Sequence, residues 1–236
     1  LFFHVYFTFT ILLNILYFLV FDKKMLNMFK FTSKPDLFFS ARNIAVVGVS
    51  REEIKVGHII FRNLLENKNL KVFPVNPKAS EILGYKTYKD ILEIPYSLDL
   101  IIVAVKSEVV PEIMRQAARR KVRAAVIISA GFSEAGNFGL EEEIKNISEE
   151  AGISLLGPNV LGVLNPYKEF NATFFKGMPE KGKIAFLSQS GALGVAVLDI
   201  ALKEKIGLSG FISLGNSVQL DVSDFIEYFA RDRNTE

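Results

Sequence analysis

From residue 37 onward the chain alternates short β-branched or apolar runs with stretches of helical periodicity. That alternation is the signature of a doubly wound α/β fold, because parallel strands need a helical crossover between them. The strand candidates are Asn43–Gly48, Lys71–Val75, Asp99–Val105, Ala124–Ser129 and Ile153–Leu156. Helix-like stretches lie between them at about 54–67, 107–120 and 138–151. The last of these, GLEEEIKNISEEAG, carries an acidic run that reads as a solvated face, ended by Gly152. Five strands of this kind complete a Rossmann-like domain with a parallel sheet.

Residues 160–180 read as an irregular connection holding Pro166, Gly177 and Pro179. A second α/β unit then begins. It has a strand at Lys183–Leu187, the loop SQSGALG, a helix at about 192–205, a strand at Leu208–Leu214, the loop GNSVQLD and a helix at about 222–231. Two strands are too few for an open α/β domain with covered faces. The second unit is therefore expected to be truncated or completed by another chain. The division expected is a leader at 1–27, a first domain at 28–160, a connection at 161–180 and a second domain at 181–236.

Half of the 236 residues are hydrophobic and 23% are charged, so a sizeable core is expected and global disorder is excluded. A net charge of +2 without a basic block gives no argument for nucleic acid. The absence of cysteine removes disulfides, thiolate nucleophiles and thiolate metal sites. With only His4 and His58, a histidine-rich metal site is impossible, and no metal site is expected. Residues 1–21 carry no charge and are long enough to cross a bilayer, with Lys23 and Lys24 just beyond. Three readings stand. Met25 or Met28 marks the start of a cytoplasmic protein preceded by translated upstream sequence; the segment is a genuine membrane anchor; or it is a buried helix.

The first turn, Gly48-Val49-Ser50-Arg51, resembles a dinucleotide site whose glycine spacing is wrong for G-x-G-x-x-G. Gly48 permits the tight turn, Ser50 adds a hydroxyl, Arg51 and Lys55 add positive charge, and Gly57 lets the next helix approach the strand. The same pattern also serves a well-packed βα turn with no ligand. The end of the second strand argues against NAD. An acid would grip the ribose diol there, yet the sequence is Pro74-Val75-Asn76-Pro77-Lys78. A cationic end suits a ligand phosphorylated on that ribose, NADP or coenzyme A.

The segments GVSREEIKVG, VFPVNPK, EILGYKTYKDILEIP, VIISAGFSEAG, LLGPNVLGVLNP, NATF and GKIAFLSQSGALG occur here in an order that resembles ADP-forming acetyl-CoA synthetases, within the succinyl-CoA synthetase-like superfamily. The resemblance covers about residues 36–236. It implies a Rossmann-like CoA-binding domain followed by an incomplete flavodoxin-like domain. It places Gly48, Ser50, Arg51 and Lys55 at the phosphate-binding turn, and Pro74, Asn76 and Lys78 at the nucleotide end of coenzyme A. Ala104 and Val105 match a further CoA-facing segment, where the family more often has Val-Pro-Ala, so Lys106 is a departure. Ser129, Ala130 and Gly131 match the next loop.

In the second domain, Ser190, Gly191 and Ala192 open a helix and would offer N–H groups to a phosphoryl group. The resemblance implies a sequence from acyl-CoA and phosphate to acyl phosphate and CoA, then a phosphohistidine, then ATP from ADP. Asn159, in Gly157-Pro158-Asn159, would lie near the acyl-transfer centre; Val160 follows where the family commonly has Cys. Glu227 would orient the catalytic histidine, which lies downstream of this sequence in the family. ADP, ATP and Mg would be handled by a beta (ATP-grasp) subunit or by downstream domains, so a hetero-oligomer is expected, with acyl-CoA as the small-molecule partner. A non-catalytic CoA-binding module is the alternative, and a variant NADP-dependent reductase a more distant one.

Overall fold

The structure, a computed structural model, describes residues 35–236; the leader at 1–27 lies outside them. A short helix α1 (Asp36–Ser40) leads into β1 (Asn43–Val47). Helix α2 (Val56–Leu65) crosses to β2 (Lys71–Val75), followed by a tiny hairpin, β3 (Glu81–Ile82) and β4 (Tyr85–Lys86). Leu83 and Gly84 both have positive φ, as a two-residue hairpin turn of that hand requires. Strand β5 (Leu100–Val103) is followed by a 3-10 turn at Ser107–Val109 and helix α3 (Val110–Arg119). Then come β6 (Ala124–Ile127), α4 (Phe138–Ala151) and β7 (Ser154–Leu156).

These strands form an all-parallel sheet in the order β2-β1-β5-β6-β7. Pro74 is tolerated because β2 is an edge strand, where one row of backbone groups is free of the ladder. Alternate residues serve opposite faces. Ile44, Val46, Leu100, Ile102 and Val126 join one core; Ala45, Val47, Ile101, Val103 and Ile127 join the other. Both faces are buried, as a parallel sheet requires, which explains why its strands are apolar throughout.

The 160–180 segment departs from its expected irregularity. It carries β8 (Gly162–Asn165) and β9 (Phe170–Thr173), which pair antiparallel with each other. Strand β10 (Lys181–Ser188), helix α5 (Gly191–Lys203), strand β11 (Leu208–Ser213) and helix α6 (Val222–Arg231) follow. The second sheet has the order β10-β11-β8-β9, with β8 antiparallel to β11 and β10 parallel to it. Two strands expected to stand alone are thus joined by two from the connection. Side-chain amides reinforce that arrangement: Asn63 of α2 donates to the carbonyls of Thr173 and Phe175, and Asn67 to that of Lys168. The first core runs on into the second sheet through Val163, Phe170, Ala172 and Ile212, so the two sheets share one apolar interior.

Among the described residues, no helix is long and apolar enough to cross a membrane.

Candidate nucleotide and anion site

In the order β2-β1-β5-β6-β7 the winding direction reverses between β1 and β5, and ligands of such sheets bind outside the strand ends at that reversal. Gly48 ends β1 there, with φ +96°. A Cβ at Gly48 would lie 2.3 Å from the Ala104 carbonyl oxygen, and one at Gly57 would lie 2.3 Å from the Gly48 carbonyl oxygen. The two glycines let α2 and the segment after β5 close around the strand end, where any side chain would hold them apart.

Asn76 ties the next turn to the first. Its Nδ2 donates to the Val49 carbonyl at 2.6 Å, and its Oδ1 accepts from the Lys78 N–H at 2.8 Å. His58 is 2% exposed, and its Nδ1 lies 2.8 Å from the Ser50 carbonyl oxygen, so it serves the shape of the turn. The Ser50 hydroxyl accepts from the Glu52 N–H at 3.1 Å.

Two cavities open at this end of the sheet. The first, about 470 Å³, is walled by Gly48, Asn76, Val105 and Ile113, and three lysines line it: Lys78, Lys89 and Lys106. The second, about 610 Å³, brings Ala104, Val105, Ser129, Ala130 and Asn159 together with Ser190, Gly191 and Ala192. Val105 lines both. Its N–H donates to the Ser129 hydroxyl at 3.1 Å, which fixes the wall between them.

Ser190 caps α5, accepting from the Leu193 N–H at 3.3 Å, and Gly194 donates to the Ser190 carbonyl. Gly191 and Ala192 are first-turn residues whose N–H groups have no acceptor within the helix. The helix dipole adds positive potential at the same place, so this wall of the second cavity suits an anion.

The loops behind the second cavity are joined by one amide. Asn216 Nδ2 donates to Glu134 Oε2 and Glu141 Oε2, each at 2.7 Å, and to the Ser133 hydroxyl at 3.1 Å. Its Oδ1 lies 3.4 Å from Asn159 Nδ2. Burial alone would raise the Glu134 carboxyl, but the Asn216 amide and the backbone N–H groups of Gly131 and Phe132 outweigh it and hold it below the usual carboxylate range.

Placement separates the residues singled out in the sequence. Gly48, Asn76, Lys78, Ala104, Val105, Ser129, Ala130, Asn159, Ser190, Gly191 and Ala192 line one cavity or the other. Ser50, Arg51 and Lys55 sit on the turn before α2 and line neither; Lys55 lies 3.8 Å from Glu52. Pro74 is buried within β2, and the Gly131 N–H is engaged by Glu134. Glu227 is exposed on α6 and paired with Arg231, away from both cavities. Lys89, Gln189 and Asn216 were not picked out by sequence reasoning. Gln189 lies inside the SQSGALG loop beside Ser190, but nothing in the local pattern marks Lys89 or Asn216. Among the described residues no group of three or more His, Asp or Glu side chains is placed to hold a metal.

A glycine-tightened strand end at the switch point of a parallel sheet, beside a cavity rimmed with cations, is the arrangement of a Rossmann-like α/β protein. The chain belongs to the CoA-binding domain family, which it matches over residues 42–166, and it matches the succinyl-CoA ligase-like flavodoxin domain over residues 181–236. It is 46% identical over 200 residues to the ADP-forming acetate–CoA ligase I of Archaeoglobus fulgidus, across 84% of this chain and 29% of that protein. It is 42% identical over 197 residues to the alpha subunit of ADP-forming acetate–CoA ligase II of Pyrococcus furiosus, across 83% of this chain and 43% of that subunit. Among solved structures, it resembles an acetyl-coenzyme A synthetase of Candidatus Korarchaeum cryptofilum in complex with phosphate and ADP. The TM-score is 0.79 at 40% identity, covering 82% of this chain and 42% of that one. The chain thus spans less than half the length of each of these proteins.

The first cavity fits part of coenzyme A on its own chemistry. Its apolar walls suit a flat base, and its lysines suit a phosphate.

Proposed function

We propose that this chain is the CoA-binding portion of an ADP-forming acyl-CoA synthetase, which interconverts acyl-CoA, ADP and phosphate with a carboxylic acid, ATP and CoA. The observation that carries the reading is the second cavity, where CoA-side loops at Ser129 and Asn159 face the N-terminus of α5. Coenzyme A would lie with its nucleotide in the first cavity and its thiol end in the second. There the N–H groups of Gly191 and Ala192 would stabilise a phosphoryl or acyl phosphate anion. Ser50, Arg51 and Lys55 would serve the phosphates from the turn, and Pro74 and Gly131 would shape the walls. Glu227 would orient a histidine only if α6 or its ion pair rearranged.

Nucleotide chemistry with ADP, ATP and Mg belongs in this reading to an ATP-grasp subunit or domain, so the working assembly is a hetero-oligomer or a longer chain, cytoplasmic in location. A non-catalytic CoA-binding module is the second reading. Within the described residues His58 is buried in a structural hydrogen bond, so that reading gives it no part in phosphoryl transfer.

Calorimetry on the full chain tests the proposal. Saturable binding of CoA is expected, tighter than that of dephospho-CoA, because Lys78 meets the ribose phosphate. Absence of CoA binding would sink the reading, and equal affinity for both ligands would sink the role of Lys78. Labelled ATP or acyl phosphate should leave no stable phosphohistidine on the isolated chain.

A further inference from the structure

We infer that Lys89 and Lys106 act with Lys78 as a three-point clamp on the ribose phosphate of coenzyme A, and so set the preference of this chain for the phosphorylated coenzyme. The inference rests on the CoA reading above and adds two residues to it.

The three lysines come from separate segments: the turn after β2, the stretch between β4 and β5, and the start of the 3-10 turn after β5. All three line the first cavity. Apolar side chains such as Val75, Ile91 and Ile113 also line it, which leaves the lysines as its cationic groups.

Charge accounting favours a dianion. The two acids that share the lining are already engaged. Asp90 accepts from the N–H groups of Leu92 and Glu93 at 2.8 and 3.2 Å. Glu112 pairs with Arg119 at 2.8 Å and with Arg115 at 3.5 Å. Among the described residues, no ammonium nitrogen of the three lysines stands within 4.0 Å of a carboxylate, although the Lys89 backbone N–H donates to Glu93 at 3.0 Å. Hydrogen bonds leave Asp90 anionic, but three lysines against that one carboxylate without a cationic partner keep the concave surface net positive and focus its field on an incoming anion.

Position selects the phosphate. Lys78 follows β2, where doubly wound nucleotide sites read the ribose, and the other two lysines share its cavity. Arg51 and Lys55 line neither cavity and precede the N-terminus of α2, the place where doubly wound sites hold a pyrophosphate. The extra charge at Lys106 is therefore a second contact to the group that Lys78 meets.

Calorimetry of the full chain with CoA and with dephospho-CoA, using Lys89→Gln, Lys106→Gln and the double variant, tests the clamp. Each single variant should weaken CoA binding about threefold to tenfold and the double variant more than about tenfold, the range for exposed and charge-assisted contacts. Dephospho-CoA affinity should not change, and the salt dependence of CoA binding should become shallower. Lys86→Gln removes a neighbouring charge that lies over the Tyr88 ring and lines neither cavity, and it should bind like the parent chain. Unaltered CoA affinity in the double variant would overturn the clamp while leaving the CoA reading intact. Equal losses for CoA and dephospho-CoA would also overturn it, placing the lysines on the pyrophosphate. Failure of the unsubstituted chain to bind CoA would remove the reading and the clamp together.

Discussion

The two sheets of this protein meet water in opposite ways. In the first, residues Leu100–Val103 and Ala124–Ile127 are buried without exception, because helices cover both faces. In the second, β11 is equally buried but its edge neighbour β10 is not: Ile184 is 52% exposed, and α5 beyond it leaves Leu193 and Ile200 open. The first sheet is held by its own layers. The second borrows β8 and β9 from the segment before it and shares its core with the first. A unit assembled from borrowed strands is tied to its neighbour, and the second cavity lies where that neighbour's loops reach α5.

The largest expected effect breaks the first sheet at its ligand end. Gly48→Val places a side chain 2.3 Å from the Ala104 carbonyl at φ +96°. It should destabilise the fold by about 4 kcal/mol or more in urea denaturation, since strain and overpacking add. Next comes a direct contrast of one residue type in two settings. Ile102→Ala, at 0% exposure, should cost about 2–5 kcal/mol. Ile184→Ala should cost less than about 1 kcal/mol. Equal losses would erase the distinction between the sheets.

Asn216→Ala removes the amide shared by Glu134 and Glu141, and about 1–3 kcal/mol of stability should go with it. The loss should be accompanied by weaker protection of the 129–136 loop in hydrogen exchange.

The smallest effect is a pH dependence. Burial raises the Asp99 carboxyl, but N–H bonds from Asn43 and Arg42 and the Arg123 guanidinium more than offset it, holding it below its ordinary 3.8. A depressed folded-state value means stability that is full above the ordinary value and lost as pH falls through the lowered one. Asp99→Asn should therefore flatten the acid limb of the stability curve below about pH 4, by under about 1 kcal/mol given the solvent around the carboxylate.

Legibility in the sequence follows the same contrast. The five strands of the first sheet could be read directly, since burial on both faces demands unbroken runs such as IAVV and LIIV. The turns at Gly48, Asn76 and Ser190 were legible for a related reason: a close backbone approach, an amide that bridges two turns and a helix cap each restrict the residue type. Strands β8 and β9 were not legible. They are four residues each, contain Gly162, Asn165 and Asn171, and exist because β11 offers them an edge. Lys89 was silent because its meaning depends on Lys78 and Lys106, which only the folded sheet brings to one rim. Asn216 was silent likewise, since its carboxylate partners lie 75 and 82 positions away.

The wall at Val105 has a consequence for selection by length. In the proposed reading a short nucleotide would fill one chamber and end there, and a short acyl phosphate would fill the other. A molecule that occupies both must be long enough and thin enough to turn past a single valine whose backbone is pinned to Ser129. If one ligand spans both chambers, it would be measured by reach as well as by charge, and shortening its middle should separate its two ends energetically even when both end groups are kept.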